Sequence, residues 1–160
     1  MNAAFERVSM ELAEPFEIAR GVQTESENVV VELTHEGETG IGAAAPSTHY
    51  GETAETVEAV LPRLFDVLPA DPHGIDAAHA AMDEAVGKNP AAKAAVDIAM
   101  HDLAAKLHDL PLYRYLGLDP RSTPASSFTI GLASTAEMAR NTEAASDAGY
   151  DVLKVKLGTD

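Results

Sequence analysis

Cysteine is absent from the 160-residue chain, so disulfide bonds and thiol chemistry have no part in its structure or function. No apolar run approaches the length of a membrane span, and the N-terminus lacks a basic segment followed by an apolar core. Basic residues are scarce, with 11 lysines and arginines against 26 aspartates and glutamates and a formal net charge of −15. These absences predict a cytoplasmic protein whose partners are neither nucleic acids nor membranes.

The acidic residues are spread over the whole chain rather than gathered in a tail. A surface of this kind suits a protein that must stay hydrated in concentrated salt, which indicates a halophilic source. An ordinary acidic cytosolic protein is the alternative. Hydrophobic residues make up 46% of the chain, enough at this length for one domain with a core, or one domain plus part of another.

The first two thirds of the chain predict a small sheet followed by helices. Strands are expected at residues 5–12, 29–33 and 41–45, separated by a polar stretch at 14–28 and a turn at 35–40. Such short connections imply an antiparallel sheet. Helices are expected at 52–68, 76–86 and about 90–108, and a short element at 111–117. Pro62 predicts a break or kink in the first helix, or helix on one side of it only, and Asn89 is expected to cap the third.

The pattern changes after a connector at residues 118–124. A strand at 126–130, a helix that opens with the capping box Ser134–Glu137 and ends near Gly149, and a strand at 152–157 form a βαβ unit. Its two strands should be parallel. A parallel pair needs further strands and helices to cover it, and the sequence stops before any follow.

Two lysines at spacing two, Lys154 and Lys156, interrupt the last of these strands. Side chains at i and i+2 of a strand point to the same face, so both project together from a segment whose composition predicts burial. Desolvation and a neighbouring like charge both favour the neutral amine, which is the form that acts as a base. The alternative is an edge strand with solvated lysines.

The order of these elements and several sequence stretches resemble the enolase superfamily, within it the muconate-lactonizing subgroup and, more narrowly, the dipeptide epimerases. The stretches are EPFEIARGVQTESENVVVEL, GAAAPSTHYGET, AAKAAVDIAMHDLAAKLHDLPLYRYLG, SFTIGL and GYDVLKVKLG. The resemblance implies an α+β capping domain at residues 1–121, with a three-stranded antiparallel sheet and a helical bundle. It implies that residues 122–160 begin a TIM-type α/β barrel of which only the first two strands are present.

The resemblance also implies a reaction. Members of the family bind Mg²⁺ and abstract the proton α to a carboxylate or carbonyl, giving an enediolate. Lys156 matches the acid/base of the lysine-x-lysine motif, and Lys154 matches the lysine that holds the base and the substrate carboxylate. The metal ligands and the second base belong to later barrel strands, so Mg²⁺ ligands are expected beyond residue 160. The 160 residues alone are therefore expected to be inactive.

Four further residues match positions where the family contacts its substrate. Arg20 falls in a first specificity loop at residues 16–27, and His49 and Tyr50 fall in a second at 46–52. Thr129 ends the first barrel strand, the edge at which barrel active sites form. Each has a plainer alternative: a solvated arginine, two rings that pack a turn, and an ordinary strand threonine.

Other functions remain open at this point. Muconate cycloisomerases and o-succinylbenzoate synthases share the lysine pair and the capping domain. A truncated, non-catalytic chain is the third possibility, since an incomplete barrel would expose Phe128, Ile130, Val152 and Val155. The full-length relatives are usually oligomers, so a homo-oligomer is expected.

Two local patterns favour structure over chemistry. Residues 40–45 match the dinucleotide fingerprint G-x-G-x-x-A, but Pro46 follows where a helix should begin, and a hairpin turn is expected at the glycines. Asp102 and Lys106 are four residues apart on a predicted helix, which is typical of a structural ion pair.

Overall fold

A computed structural model of the protein describes residues 1–18 and 21–158. The strands are β1 (Asn2–Ile18), β2 (Gly21–His35), β3 (Glu38–Ala44), β4 (Ser127–Ile130) and β5 (Val152–Val155). The helices are α1 (Ala54–Phe65), α2 (Ile75–Ala85), α3 (Pro90–Leu107), α4 (Leu112–Tyr115) and α5 (Thr135–Asp147), and 3₁₀ turns lie at Thr48–Tyr50 and Pro120–Ser122. None of the helices in the described ranges has the length and apolar character needed to cross a bilayer.

The chain divides into two compact units. One comprises Met1–Ser9 and Glu27–Asp119, and the other comprises Met10–Ser26 and Pro120–Asp160. Strands β1 and β2 therefore contribute residues to both units. The predicted domains, 1–121 and 122–160, stay a prediction.

The first sheet has the order β1-β2-β3, and β2 pairs with β3 in antiparallel fashion, from Val29 opposite Ala44 to His35 opposite Glu38. The predicted antiparallel sheet is confirmed. The polar stretch at 14–28, predicted to separate the first two strands, belongs largely to the strands, since β1 runs to residue 18 and β2 begins at 21. Residues 22–25 are exposed. Their place in β2 is set by pairing with a neighbouring strand, so apolar alternation could not reveal it.

The core lies between β2 and the helices. Val29, Val31 and Leu33 alternate along β2 and are fully buried, as period-two alternation requires. Helix α3 crosses the same core and is buried along much of its length, through Ala92, Ala95, Val96, Ala99, Met100, Leu103, Ala104 and Ala105. A helix buried this widely is an interior element, which explains why most of its residues are small or apolar.

Strand β3 and helix α3 meet at backbone distance because β3 carries Gly40 and Gly42. A Cβ at Gly40 would lie 2.6 Å from the Cβ of Leu103, and one at Gly42 would lie 2.7 Å from the amide nitrogen of Ala99. The turn between β2 and β3 is at residues 36–37, so the expectation that these glycines form the turn is wrong. They are packing residues, which accounts for the G-x-G pattern without a nucleotide.

Pro62 in α1 and Asn89 at the start of α3 do not have the effects that the sequence predicts. Helix α1 continues for three residues past Pro62, so the proline near its C-terminal end does not interrupt it. Asn89 is the N-cap of α3, but it is in the left-handed conformation and its side chain donates to the carbonyl of Gly87 instead of capping the helix. The cap comes from Glu52, a buried carboxylate that accepts from the amide of Ala91 at 3.0 Å.

The predicted βαβ unit is confirmed. Strands β4 and β5 are parallel, and α5 connects them. The Ser134 hydroxyl accepts from the amide of Glu137, and the Glu137 carboxylate accepts from the amide and hydroxyl of Ser134. Helix α5 therefore begins with the predicted capping box.

Candidate functional site

The parallel pair β4–β5 brings three predicted site residues to one edge. Thr129 and Lys154 are paired in the register of the two strands. Lys156 follows directly after β5, where its amide donates to the carbonyl of Ile130 at 3.0 Å and extends the pairing by one step. All three lie at the carboxyl end of the pair, the edge at which parallel sheets present ligand-binding groups.

The burial predicted for this strand is not found. Lys154 is exposed, Lys156 is half-buried, and Val152 and Val155 are 46% and 48% exposed. In the described residues the strand pair has α5 as its covering helix, and the well-packed residues there are Ile130 and Ala145. The apolar residues of β5 therefore form an exposed surface, and Lys154 is more accessible to solvent than Lys156.

Of the four apolar residues expected to be exposed on an incomplete barrel, three are exposed and one is not. Phe128, Val152 and Val155 each show more than a third of their surface, while Ile130 is 1% exposed. The expectation for Ile130 is wrong, since it is buried at the end of β4 although Phe128, two positions earlier on the same face of the strand, is exposed.

His49 and Tyr50 lie in the first compact unit, in the 3₁₀ turn that precedes α1. Their rings are 4.9 Å apart at 62°, and Tyr50 is 75% exposed. The amide of Tyr50 donates to the carbonyl of Ser47, and Gly51 closes the turn in the left-handed conformation. The turn therefore holds its shape through backbone bonds and leaves both rings accessible.

Arg20 lies outside the residues that the structure describes. The first specificity loop predicted around it, at residues 16–27, is strand on both sides of residues 19–20 rather than an irregular loop.

Glu52, in the second predicted loop at 46–52, has a role that the sequence pattern did not reveal. It stands two positions after Tyr50 and is 5% exposed, with both carboxylate oxygens within 3.3 Å of the Ala91 amide. A carboxylate at a helix N-terminus is favoured by the helix dipole and by the free amides there. Its partner is 39 residues away, so no local pattern could have shown the contact.

The implied Mg²⁺ has no ligand set among the described residues. Within 1–18 and 21–158, no three histidine, aspartate or glutamate side chains are grouped as metal ligands. The described residues supply no such ligand set, so no step of a reaction is assigned to the metal on them.

A three-stranded antiparallel sheet packed on helices, followed by a βαβ unit, is the class of architecture found in the enolase superfamily. The family model for the mandelate racemase / muconate lactonizing enzyme N-terminal domain matches residues 2–117, and the chain belongs to this family.

Curated relatives of the chain are dipeptide epimerases. The L-Ala-D/L-Glu epimerase of Bacteroides thetaiotaomicron is 36% identical over 160 residues, which are 100% of this chain and 42% of that protein. The L-Lys-D/L-Arg epimerase of Methylococcus capsulatus is 37% identical over 153 residues, covering 93% of this chain and 43% of that protein. The two relatives are therefore almost equally identical to this chain, although their names give different substrates.

A solved structure to which the chain is similar is also that of a dipeptide epimerase. The dipeptide epimerase from Enterococcus faecalis V583, complexed with Mg and the dipeptide L-Leu-L-Tyr, matches with a TM-score of 0.91 and 32% identity, over 98% of this chain and 45% of that chain. The chain therefore spans less than half the length of the relatives it matches, and corresponds to their N-terminal part.

Proposed function

We propose that this chain is the N-terminal part of a Mg²⁺-dependent dipeptide epimerase, which inverts an α-carbon of a dipeptide through an enediolate intermediate. The observation that carries the proposal is the lysine pair at the carboxyl end of a parallel strand pair, beside Thr129. Family membership and the epimerase relatives support the reaction class. Mg²⁺ would stabilise the enediolate charge, and its ligands would lie in the part of the relatives that this chain does not span.

In this proposal Lys156 is the base for one face of the substrate. A lysine accepts a proton only as the neutral amine, and removal of water favours that form. The exposed apolar residues beside Lys154 in β5 fit a strand that further barrel elements cover in a longer protein. Lys154 would then hold Lys156 and the substrate carboxylate. Side chains two residues apart on a strand lie on the same face, so both amines project together.

The remaining predicted residues would set specificity. Thr129 would donate its hydroxyl to the substrate, and Arg20 would meet an acidic substrate side chain. His49 and Tyr50 would shape the mouth of the pocket, which fits the accessibility of their rings. These roles are proposals for the longer protein.

The test uses the longest protein that contains this chain, with Mg²⁺ and a dipeptide, and follows exchange of the α-proton in deuterated water by NMR. Lys156→Ala should abolish exchange from one stereoisomer, while Lys154→Ala should slow exchange from both. Lys93→Ala is the matched control, since its ammonium pairs with Asp83 on the surface of the first unit. Undiminished exchange from both stereoisomers in the Lys156 variant would falsify the assignment.

The 160-residue chain by itself should not catalyse epimerisation, because it lacks a ligand set for the metal among its described residues and has one lysine base. Substrates for cycloisomerisation and for o-succinylbenzoate formation belong in the same assay panel as the dipeptides. Turnover of one of these, with no dipeptide epimerised, would assign the longer protein to another branch of the family.

A further inference from the structure

Two histidines far apart in the sequence face each other through their ring nitrogens. His73 precedes α2, and His108 is the C-cap of α3. Their Nε2 atoms are 3.0 Å apart, with ring centroids 4.9 Å apart at 62°. Both side chains are accessible to solvent, and neither belongs to the lysine strand or to the turn that carries His49.

Asp71 fixes the orientation and the tautomer of His73. Its Oδ1 accepts from the backbone amide of His73 at 2.9 Å and lies 3.0 Å from the ring Nδ1. An ionised carboxylate accepts only, so Nδ1 carries the proton and the lone pair of His73 is on Nε2.

His108 is oriented by a ring contact instead of a carboxylate. Its imidazole stacks on Tyr115 at a centroid distance of 6.0 Å and an angle of 19°. When the pair is neutral, the Nε2–H of His108 donates to His73. When the proton of neutral His108 moves from Nε2 to Nδ1, a lone pair becomes available on its Nε2. This change of tautomer does not alter the charge of the ring.

The spacing of the two nitrogens is that of two ligands on one metal ion. Two metal–nitrogen bonds of about 2.0–2.1 Å, at an angle between a right angle and the tetrahedral value, separate the nitrogens by about 2.8–3.4 Å. The observed 3.0 Å falls in this interval. A cleft of about 480 Å³ opens beside Asp71 and His73, and the exposed rings of both histidines give water access to the remaining coordination positions.

We propose that His73 and His108 form a two-histidine site for a borderline transition-metal ion such as Zn²⁺, Cu²⁺ or Ni²⁺, with Asp71 orienting His73 and water completing the coordination. Imidazole suits these ions, whereas Mg²⁺ prefers oxygen ligands. A carboxylate on the second ring nitrogen of a ligating histidine is a recurring arrangement in zinc proteins. The inference is independent of the epimerase proposal.

Titration calorimetry of untagged protein with ZnCl₂, CuCl₂ and MgCl₂ tests the site. One equivalent of Zn²⁺ or Cu²⁺ should bind, with Cu²⁺ tighter than Zn²⁺ and no measurable binding of Mg²⁺ to these residues. His73→Ala and His108→Ala should each weaken binding at least about tenfold, and Asp71→Asn should weaken it about 10- to 100-fold. His79→Ala is the control, since His79 pairs with Asp97 elsewhere on the unit.

A second measurement on the unaltered protein keeps the test valid if a variant misfolds. Substoichiometric Cu²⁺ should broaden the imidazole NMR signals of His73 and His108 before those of the other four histidines. Zn²⁺ affinity unchanged in both alanine variants, or broadening that begins at His79 or His101, would overturn the proposal.

Discussion

At the residue scale, Glu52 joins a surface turn to the main helix of the core. Its carboxylate accepts from the Ala91 amide while the side chain is buried, and Asn89, the N-cap residue, makes no side-chain cap. One residue from another part of the chain thus replaces the local cap that the sequence predicts. Removing it would leave a helix amide without its acceptor in a buried setting.

Glu52→Ala should lower the free energy of unfolding by about 1–2 kcal/mol, as expected when a helix loses its N-terminal acceptor. Glu52→Gln should lose less, since the amide oxygen still accepts from Ala91. Urea unfolding followed by circular dichroism measures both variants. Glu84→Ala, at an exposed position on α2, is the control. If it lowers the free energy of unfolding as much as Glu52→Ala does, Glu52 has no special role in stability.

The second residue-scale feature is the pair of glycines in β3. Gly42→Ala should lower the free energy of unfolding by about 3 kcal/mol, since overpacking typically costs about 1–3 kcal/mol and the clash here is with backbone that does not move aside. Gly87→Ala makes the matched control, because a Cβ there meets no atom within 4 Å. If both variants unfold at the same urea concentration, the close approach of β3 and α3 is not a constraint.

At the element scale, α3 also protects the outer edge of β3. One carboxylate oxygen of Asp102 accepts from the amide of Ile41 at 2.9 Å and from Lys106 Nζ at 2.7 Å. The same ammonium donates to the carbonyl of Thr39 at 2.7 Å. The predicted ion pair is confirmed, and the structure adds that it occupies backbone groups of an edge strand that another chain could otherwise pair with.

Asp102→Ala should destabilise the protein by about 1–2 kcal/mol. The Ile41 amide would lose its acceptor, and the Lys106 ammonium would lose its ion-pair partner. A double-mutant cycle with Lys106→Met should give a clear coupling energy. The Asp83–Lys93 pair, which joins α2 to α3, provides the comparison and should show weaker coupling. Equal coupling in the two cycles would argue against the edge-capping role.

The elements differ in how much their own sequence determines them. Helix α5 was predictable because its capping box is local, and the boundaries of α2 and α3 fall within one residue of the expected ones. The extension of β1 and β2 into residues 14–28 was not predictable, because the strands pair with each other there while residues 22–25 are exposed. The lysine edge was predictable from spacing, but its exposure depends on what packs over β5.

At the scale of the whole molecule, several carboxylates are stabilised in their charged form. Hydrogen bonds from its own backbone amide, from Thr53 and from Arg7 lower the pKa of Glu55 to about 2. Hydrogen bonds likewise lower the pKa values of Asp71, Asp83 and Glu137, from His73, Lys93 and Ser134 respectively. Each group binds protons more weakly in the folded state than in the unfolded state.

The sign of the pH dependence follows from these depressed values. The stabilisation is complete above the unfolded pKa values, near 4 to 4.5, and is lost as the pH falls through the lower folded values toward about 2. Thermal unfolding midpoints should therefore drop steadily between these limits. Glu55→Gln should flatten part of that slope, and a midpoint that stays constant down to pH 2.5 would contradict this account.

The net charge of −15 leads to a prediction about salt. Raising KCl from about 0.1 M to about 1 M shortens the screening length from about 10 Å to about 3 Å, which relieves repulsion among the acidic side chains. The midpoint of thermal unfolding and the solubility should both rise over this range if the protein is adapted to salt. A protein that is most stable at low salt would point to an ordinary acidic surface.

The link between the turn at Thr48–Tyr50 and Glu52 has a consequence for protein engineering. His49 and Tyr50 are accessible and contribute little buried surface, whereas the carboxylate two positions later anchors a helix of 18 residues. A library randomised at residues 48–50 that keeps Glu52 and Gly51 should therefore yield mostly folded variants. Such a library tests whether this turn takes part in recognition while its anchor to the scaffold stays unchanged.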